Sequence, residues 1–238
     1  MRFYFRPLLK PTLWTLPFFV TLIWLGAWQI ERLHWKLGLI AEVNSNLTAP
    51  PIALDRALAL GPESAQYHRV ALAGTFDNSK EAYVFTTGEN GEPVFHVVTP
   101  FALAGGGMLL VDRGFIPQTL RDPKTRAAGQ LAGPQHIVGV WRIPDAPGAF
   151  TPAPDMARRI WYARDIAGIA RADGIALAAP VIVEADSTPN PGGWPKGGQT
   201  IVNFPNDHLQ YAITWFMLAA GLLAVYLAYH RSKGRLGW

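Results

Sequence analysis

The chain has 238 residues, no cysteine and a formal net charge of +4. The missing cysteine excludes a disulfide framework and a thiolate metal site. Nucleic-acid binding is not indicated, because residues 1–30 and 211–238 together hold six basic residues and no acidic one, whereas the middle has 15 basic and 17 acidic residues. This distribution is the positive-inside pattern of two membrane-spanning helices with both ends in the cytoplasm.

An uncharged apolar run predicts the first membrane-spanning helix over residues 11–30, after a basic cytoplasmic tail over residues 1–10. A cleaved signal peptide is the alternative interpretation. Its apolar core would be about 7–15 residues long, however, and no A-x-A cleavage site precedes Glu31. We therefore expect a retained membrane anchor, with Pro17 tolerated inside it because neighbouring groups re-satisfy the freed carbonyl.

Three tryptophans cluster at the outer end of this helix, as interfacial aromatic residues do: Trp24, Trp28 and Trp35. The helix is expected to continue over residues 29–40 beyond the bilayer. It should end before Asn44 and the Pro50–Pro51 pair, because proline disfavours helical backbone in the residue that precedes it.

Residues 31–208 are predicted to form one β-rich domain on the far side of the membrane, which in a bacterium is the periplasm. From Tyr67 the periodicity becomes strand-like, and an Asn90–Gly91 turn follows the second strand. The predicted strands cover residues 70–76, 82–86, 94–99, 108–113, 136–143, 181–184 and 200–204. One short helix fits residues 164–172, closed by Gly174. Many short strands at hairpin spacing predict an antiparallel sheet or a small barrel rather than a βαβ fold.

The second membrane-spanning helix is predicted over residues 209–229, before a basic cytoplasmic tail over residues 230–238. Asn206 and Asp207 are good N-cap residues, so His208 falls in the first turn. Helical spacing places five residues on one face: His208, Ala212, Trp215, Ala219 and Tyr226. A second row of small residues is suited to close contact with the first helix or with another membrane protein: Ala220, Ala224 and Ala228.

His208 is the main candidate functional residue, because ionisable side chains in membrane helices are rare and are functional by default. The alternative is an interfacial histidine that hydrogen-bonds at the headgroup level. Since one domain connects the two helices, their outer ends should lie together and form an aromatic, apolar slot suited to haem. The predicted binding residues are His208, Tyr211, Trp215, Trp28, Gln29 and Arg32. The imidazole would ligate the iron, aromatic rings would pack on the macrocycle, and Arg32 or Lys36 would pair with the propionates.

The chain shows no catalytic motif. It has no G-x-S-x-G elbow, no credible Ser/His/Asp set and no H-E-x-x-H pair. Residues 191–200 superficially resemble a phosphate loop, but their lysine precedes the last glycines instead of following them. Asp112 beside Arg113 is interpreted as a structural ion pair. The same interpretation applies to Asp165 beside Arg164, so we predict a protein that is not an enzyme.

A set of segments runs through the chain in a characteristic order. They are Leu25–Gln29 with Arg32 and Trp35–Lys36, Tyr67–Val70, Gly74–Phe76, Val97–Phe101, Val111–Pro117, Trp161–Asp165, Pro191–Gly193, Gly197–Thr200 and Asn206–Trp215. Their order, spacing and topology resemble the surfeit locus protein 1 family, the membrane assembly factors of haem-copper cytochrome c oxidase. The resemblance runs nearly end to end.

The resemblance implies an integral protein of the bacterial inner membrane that assists maturation of oxidase subunit I and has no agreed catalytic activity. It also implies haem a as a transiently bound cofactor, with His208 as the iron ligand. The implied partners are subunit I, haem A synthase as a further possibility, and the lipid bilayer. Nucleic acid is not among them.

Two functions remain open at this point. In the first, the protein is a chaperone that holds haem a near the outer membrane surface and passes it to subunit I. In the second, it is a scaffold that stabilises a subunit I or haem A synthase intermediate and binds no cofactor. A copper chaperone is disfavoured, because cysteine is absent and the four methionines are scattered. An unrecognised periplasmic enzyme is the last alternative.

Overall fold

The computed structural model describes residues 3–88, 91–144, 146–200 and 202–238. It divides into two compact units, Met1–Glu42 with Asn203–Trp238, and Val43–Val202. In chain order the helices and strands are β1 Tyr4–Phe5, α1 Leu9–Thr48, β2 Ile52–Ala53, α2 Leu54–Leu60, β3 Arg69–Phe76, β4 Ala82–Thr87, β5 Pro93–Leu103, β6 Met108–Pro117, β7 Gln135–Arg142, β8 Ile160–Trp161, α3 Ile166–Asp173, β9 Leu177–Ala185, α4 His208–Ser232 and β10 Leu236–Gly237.

The first unit is an antiparallel pair formed by α1 and α4. Near one end Thr12 Oγ1 lies 2.6 Å from Tyr226 Oη. Further along, Gly26 faces the ring of Phe216, which an added Cβ would meet at 2.6 Å. Because glycine has no side chain, the two helices approach closely at that level.

The contact face of α4 is the one predicted from helical spacing. Ala212 and Ala219 are buried, and the predicted row of Ala220, Ala224 and Ala228 is exposed. That second row therefore does not make the contact with α1.

Both helices are long and apolar enough to cross a membrane, and in each one only 11% of the most apolar window is buried. Large apolar side chains such as Trp14, Phe18, Met217 and Val225 stand exposed. Water is a poor solvent for such a surface, whereas lipid matches it. Helix α1 passes through Pro17 as predicted. It runs to Thr48, eight residues beyond the expected end, and stops two residues before Pro50.

The two ends of the chain meet at one end of the helix pair. Strands β1 and β10 pair antiparallel, with Tyr4 opposite Gly237. His230 is fully buried beside them. The backbone N–H of Leu8 donates to His230 Nε2 at 3.0 Å, and His230 Nδ1 donates to the Tyr226 carbonyl at 2.9 Å. The histidine thus satisfies a backbone donor at the start of α1.

The second unit is a closed five-stranded barrel with three added strands. The barrel order is β3-β7-β9-β6-β5, and a β3–β5 pairing closes it. Strand β4 extends the sheet from β5, β8 follows β4, and β2 lies beside β3. The small-barrel prediction is therefore confirmed, with a correction to the antiparallel arrangement. Strands β6 and β9 pair parallel, since α3 precedes β9 and returns the chain in the direction of β6. Outside the barrel, β2 pairs parallel with β3 and β4 with β8.

Six of the seven predicted strands are present at their predicted places. They correspond to β3, β4, β5, β6, β7 and β9. The seventh is wrong for its described part, because Thr200 and residues 202–204 form no strand and continue as irregular chain towards α4. The predicted turn at Asn90 lies outside the described residues. The predicted short helix is confirmed as α3, with Gly174 in the left-handed conformation at its end.

Apolar side chains of the described residues pack into three buried clusters that together form the core. Trp141 and Trp161 are almost completely buried, as are Phe101 and Leu109. Each such side chain contributes about 1.5–3 kcal/mol by leaving water. The buried side chains therefore stabilise the barrel, and the barrel positions the polar side chains that project from it.

A buried ion cluster sits within this core. Glu81 accepts hydrogen bonds from both terminal nitrogens of Arg126, at 3.1 and 2.5 Å. Arg113 Nη1 lies 3.5 Å from the same carboxylate, and the Arg113 guanidinium also donates to the Gly129 carbonyl. Burial alone would raise the pKa of Glu81, but the bonds and charges of these arginines outweigh it and lower the pKa below 4.5. Burial also lowers the pKa of Arg113 to about 10.

Candidate functional site

Helix α4 begins at His208, as predicted. Asp207 occupies the N-cap position, but its side chain makes no capping hydrogen bond. The start of the helix is thus where the sequence places it, although the predicted capping side chain does not fix it. His208 projects from the first turn, where it is half-buried.

His208 is paired with Gln29 of α1. The distance between His208 Nδ1 and Gln29 Oε1 is 2.7 Å. An amide oxygen only accepts hydrogen bonds, so Nδ1 carries the ring proton and donates it. In the neutral imidazole Nε2 then keeps its lone pair, and no described residue hydrogen-bonds to it. The arrangement leaves His208 with one fixed nitrogen and one available for a ligand.

Aromatic side chains on both helices surround this level. Trp28 and Tyr211 are exposed, at 41% and 54%. Trp215 is half-buried, and its indole N–H is buried without an acceptor among the described residues. Helical spacing places Tyr211 and Trp215 three and seven residues beyond His208, on the same side of α4. The site therefore offers two exposed rings and one unpaired donor.

The cations near this end of α1 lie over aromatic rings. The guanidinium of Arg32 is 4.4 Å from the ring of Trp35. Lys36 Nζ is 5.1 Å from the ring of Phe204. Cation–π contacts of this kind hold a charge in place without hydrogen-bonding its donors.

Of the six predicted site residues, the structure joins His208 and Gln29 by a direct bond. The other four belong to the same helix pair but make no hydrogen bond to His208. No group of three or more histidine or carboxylate side chains among the described residues is placed to hold a metal ion. A single imidazole is suited to a metal that brings its other ligands with it, as haem iron does.

The ion pairs predicted between chain neighbours are wrong. Asp112 and Arg113 are adjacent in β6, so their side chains point to opposite faces of the sheet. Asp112 hydrogen-bonds to His96 Nδ1 at 2.8 Å, whereas Arg113 joins the buried cluster of Glu81. Asp165 caps α3 by accepting from the Gly168 N–H at 2.8 Å.

Arg164 reaches away from its neighbour Asp165 to two other acids. Its Nη2 lies 3.4 Å from Asp112 Oδ2, and its Nη1 lies 3.8 Å from Glu184 Oε1. Sequence reasoning missed this group of charges. Its signal was present in the Val111–Pro117 and Trp161–Asp165 segments, whose polar residues stand out among apolar neighbours.

The structure defines a class of proteins in which two apolar helices, both candidate membrane spans, flank a small β-barrel domain in the chain. A half-buried histidine lies at the start of the second helix. Residues 16–220 match the model of the SURF1 family. Surfeit locus protein 1 of Mus musculus is 37% identical over 214 residues, which are 82% of this chain and 68% of that protein. The Homo sapiens protein of the same name is 36% identical over 217 residues, 84% and 71% of the two chains.

A SURF1-like protein of Monosiga brevicollis is 36% identical over 223 residues, 88% of this chain and 84% of that protein. The chain belongs to the SURF1 family. This confirms the family resemblance inferred from the sequence segments.

Proposed function

We propose that this protein assists the assembly of haem-copper cytochrome c oxidase by binding haem a and handing it to subunit I. The observation that carries the proposal is the His208–Gln29 pair, 2.7 Å between Nδ1 and Oε1. A metal-binding histidine commonly donates its second ring N–H to an oxygen, which fixes the tautomer and the ring orientation. His208 has that arrangement with Gln29.

The residues around His208 fit a haem. His208 Nε2 would hold the iron, the rings of Trp28 and Tyr211 would pack on the macrocycle, and Arg32 would pair with a propionate. Haem a supplies the redox iron of the oxidase once it is inserted there. The role of this chain is to bind the group, orient it and keep it from water until transfer.

The Arg32 guanidinium has donors to offer to a propionate. It lies over the ring of Trp35 and makes no hydrogen bond to a described residue. Stacking leaves the edge of the guanidinium free to bind a carboxylate. Because Arg32 follows Trp28 by one helical turn, both residues lie on the same side of α1.

The proposed setting is the bacterial inner membrane. Helices α1 and α4 would both cross the bilayer, with the basic ends of the chain in the cytoplasm and the barrel domain in the periplasm. The charge distribution supports this orientation, since the two terminal segments hold six basic residues and no acidic one. In this orientation His208 lies at the periplasmic end of the helix pair.

The first experiment is a haem A titration of the full chain in detergent, followed by absorption spectroscopy, with haem B as the competitor. The wild type should bind haem A in preference to haem B. His208→Ala should abolish the spectrum of the ligated iron while circular dichroism shows the fold retained. His136→Ala is the matched control, because His136 is an exposed histidine on β7 of the barrel domain.

The alternative function is a scaffold that binds no cofactor. The same bond favours it, since His208 also ties α4 to α1. If the wild type and His208→Ala bind haem A equally, or neither binds, the chaperone proposal is wrong. Co-purification of subunit I with both proteins would then support the scaffold.

A further inference from the structure

The barrel domain holds a polar cleft that is separate from the His208 site. Its volume is about 520 Å³, within the range of small-molecule sites. Its walls come from five strands, β4, β5, β6, β7 and β9, and from the segments before α3 and after β9. The polar lining includes Thr86, His96, Arg142, Arg164, Glu184 and Gln199. Five of these side chains also line a second cavity of about 240 Å³: Thr86, His96, Arg142, Arg164 and Glu184.

Five charged or ionisable side chains form a row at this cleft through successive contacts. In order they are His96, Asp112, Arg164, Glu184 and Arg142, here called the charge row. Four of them line the cleft, and the buried Asp112 contacts two of those four. Neighbouring strands place them together, since Asp112 of β6 is opposite Glu184 of β9. Two carboxylates side by side repel one another, and Arg164 contacts both of them. Basic and acidic groups therefore alternate along the row.

One end of the charge row is fully hydrogen-bonded. Asp112 accepts from His96 Nδ1 at 2.8 Å and from the Gly114 N–H at 2.9 Å, and Arg164 is 3.4 Å away. Burial would raise the pKa of Asp112, but the charge and hydrogen bond of His96 and the charge of Arg164 lower it below 3.8. This carboxylate is therefore a fixed anion that holds His96 in place through its Nδ1 hydrogen.

The other end of the charge row is not hydrogen-bonded. Arg142 Nε is 3.8 Å from Glu184 Oε1, which is beyond hydrogen-bonding distance. Arg142 Nε and Nη1 are buried, and neither has an acceptor among the described residues. Its side chain is only 18% exposed, and its other contact is the ring of Tyr67 at 4.8 Å. Arg164 Nε is likewise buried without an acceptor.

A guanidinium has five N–H donors and no acceptor. Removing it from water without hydrogen bonds costs free energy, so two such groups beside one cleft require acceptors from elsewhere. Carboxylates and phosphates match the guanidinium best, through charge-assisted and bidentate bonds. Because the lining is polar, the cleft suits a small charged ligand and does not suit a macrocycle or an acyl chain.

We propose that this cleft binds a small anionic ligand through a carboxylate or phosphate group, with Arg142 as the main contact and Arg164 as the second. Glu184 competes with the ligand for both arginines, and His96 bounds the site on the side of Asp112. The proposal does not rest on haem binding, because all residues of the cleft belong to the unit Val43–Val202 and His208 belongs to the other.

The test measures thermal unfolding of the full chain in detergent, followed by near-ultraviolet circular dichroism. Sodium phosphate and sodium succinate are the probes, and sodium chloride at equal ionic strength is the reference. We expect at least one probe to raise the unfolding temperature of the wild type above the chloride value. If only phosphate raises the unfolding temperature, the anionic group of the ligand is a phosphoryl group. If only succinate does so, it is a carboxylate.

Arg142→Ala should weaken binding of the active probe about tenfold or more, the range of a lost charge-assisted contact. Arg158→Ala is the matched control. It removes the same charge from an arginine whose side chain is 70% exposed and, among the described residues, forms an ion pair with Asp155. Glu184→Gln should tighten binding, since it removes the competing carboxylate and keeps the side-chain shape.

If Arg142→Ala does not fold, the variants Arg142→Lys and Glu184→Gln are used to test the proposal instead. The lysine variant keeps the charge but loses the planar donor edge, so it should bind more weakly than the wild type. Two outcomes would overturn the proposal. In one, neither probe stabilises the wild type more than chloride does. In the other, Arg142→Ala and Arg158→Ala respond alike, and the charge row is then a structural ion-pair network.

Discussion

At the scale of single residues, three histidines share one hydrogen bond at Nδ1 and differ in whether Nε2 also has a partner. His208, His96 and His230 each donate their Nδ1 hydrogen to a fixed oxygen. Only His230 also uses Nε2, which accepts the Leu8 N–H at 3.0 Å. His230 is therefore committed to the helix pair, whereas the other two retain a nitrogen for a ligand. The partner of Nε2, and not the oxygen bound by Nδ1, is what distinguishes His230 from the other two.

Gln29→Ala should weaken haem A binding about 10- to 100-fold, the usual effect of removing the partner that orients a metal-binding histidine. The loss should be smaller than in His208→Ala, because the ring remains although its tautomer is no longer fixed. Titration followed by absorption spectroscopy measures both affinities. The variant Gln29→Glu keeps an acceptor oxygen and should lie nearer the wild type. Equal affinities of the wild type, Gln29→Ala and Gln29→Glu would contradict this role for Gln29.

Protonation of Glu81 should lower the free energy of unfolding of the barrel domain at acidic pH. Its pKa in the folded state is below the ordinary 4.5, so its contribution is complete above that pH and is lost as the pH falls through the lowered pKa. Glu81→Gln should cost about 3–5 kcal/mol at neutral pH, because it leaves two buried arginines without their anion. The variant should also lose less stability than the wild type on acidification.

Chemical unfolding at pH 7 and pH 4, followed by near-ultraviolet circular dichroism, checks both effects. Glu63→Gln is the control, since Glu63 is exposed on the surface. If Glu81→Gln and Glu63→Gln showed the same free energy of unfolding at pH 7, the buried cluster would not be a determinant of stability.

At the scale of helices and strands, sequence periodicity locates elements well and their partners poorly. It placed α4 at His208 and six strands within a few residues, because burial of one face imposes a period that the residues display. It did not reveal the parallel β6–β9 pair or the partners of Asp112 and Arg113. Adjacency in the chain suggested an ion pair there, but alternation along a strand separates such neighbours. Register across strands decides these contacts, and register is not visible in a single strand.

A further expectation at this scale concerns Gly114 in β6. Its φ is +110°, and a Cβ there would collide with the backbone of Lys196, where the segment after β9 forms a bridge at Phe115. Gly114→Ala should therefore lower the free energy of unfolding by about 1–3 kcal/mol, the usual range for enforced backbone strain. Chemical denaturation of the full chain in detergent measures it.

Gly105→Ala is the matched control, because nothing lies within 4 Å of the added Cβ and its φ is not positive. It should change the free energy of unfolding by less than about 0.5 kcal/mol. An equal loss in both variants would show that the close approach to Lys196 does not matter.

At the scale of the whole molecule, the proposed orientation can be tested with thiols, because the natural chain has no cysteine. Phe150→Cys places a thiol at a fully exposed position of the barrel domain. Trp238→Cys places one at the exposed last residue of the helix-pair unit. In intact bacterial cells a membrane-impermeant maleimide should label the first variant and leave the second unlabelled.

After the cells are broken, both variants should be labelled, which controls for buried thiols. Labelling of Trp238→Cys in intact cells would show that the basic ends do not lie in the cytoplasm. The proposed periplasmic position of the barrel would then be wrong.

The pairing of β1 with β10, which lie at opposite ends of the sequence, also determines when the helix pair can form during synthesis. Leu8 bonds to a residue 222 positions later, and Gln29 to one 179 positions later. The barrel residues, by contrast, all precede Asn203 and can fold while the ribosome is still adding α4. A nascent chain thus has a finished barrel and an unpaired first helix. The His208–Gln29 pair forms only after α4 has been synthesised, so a chain that ends before α4 lacks the proposed haem site.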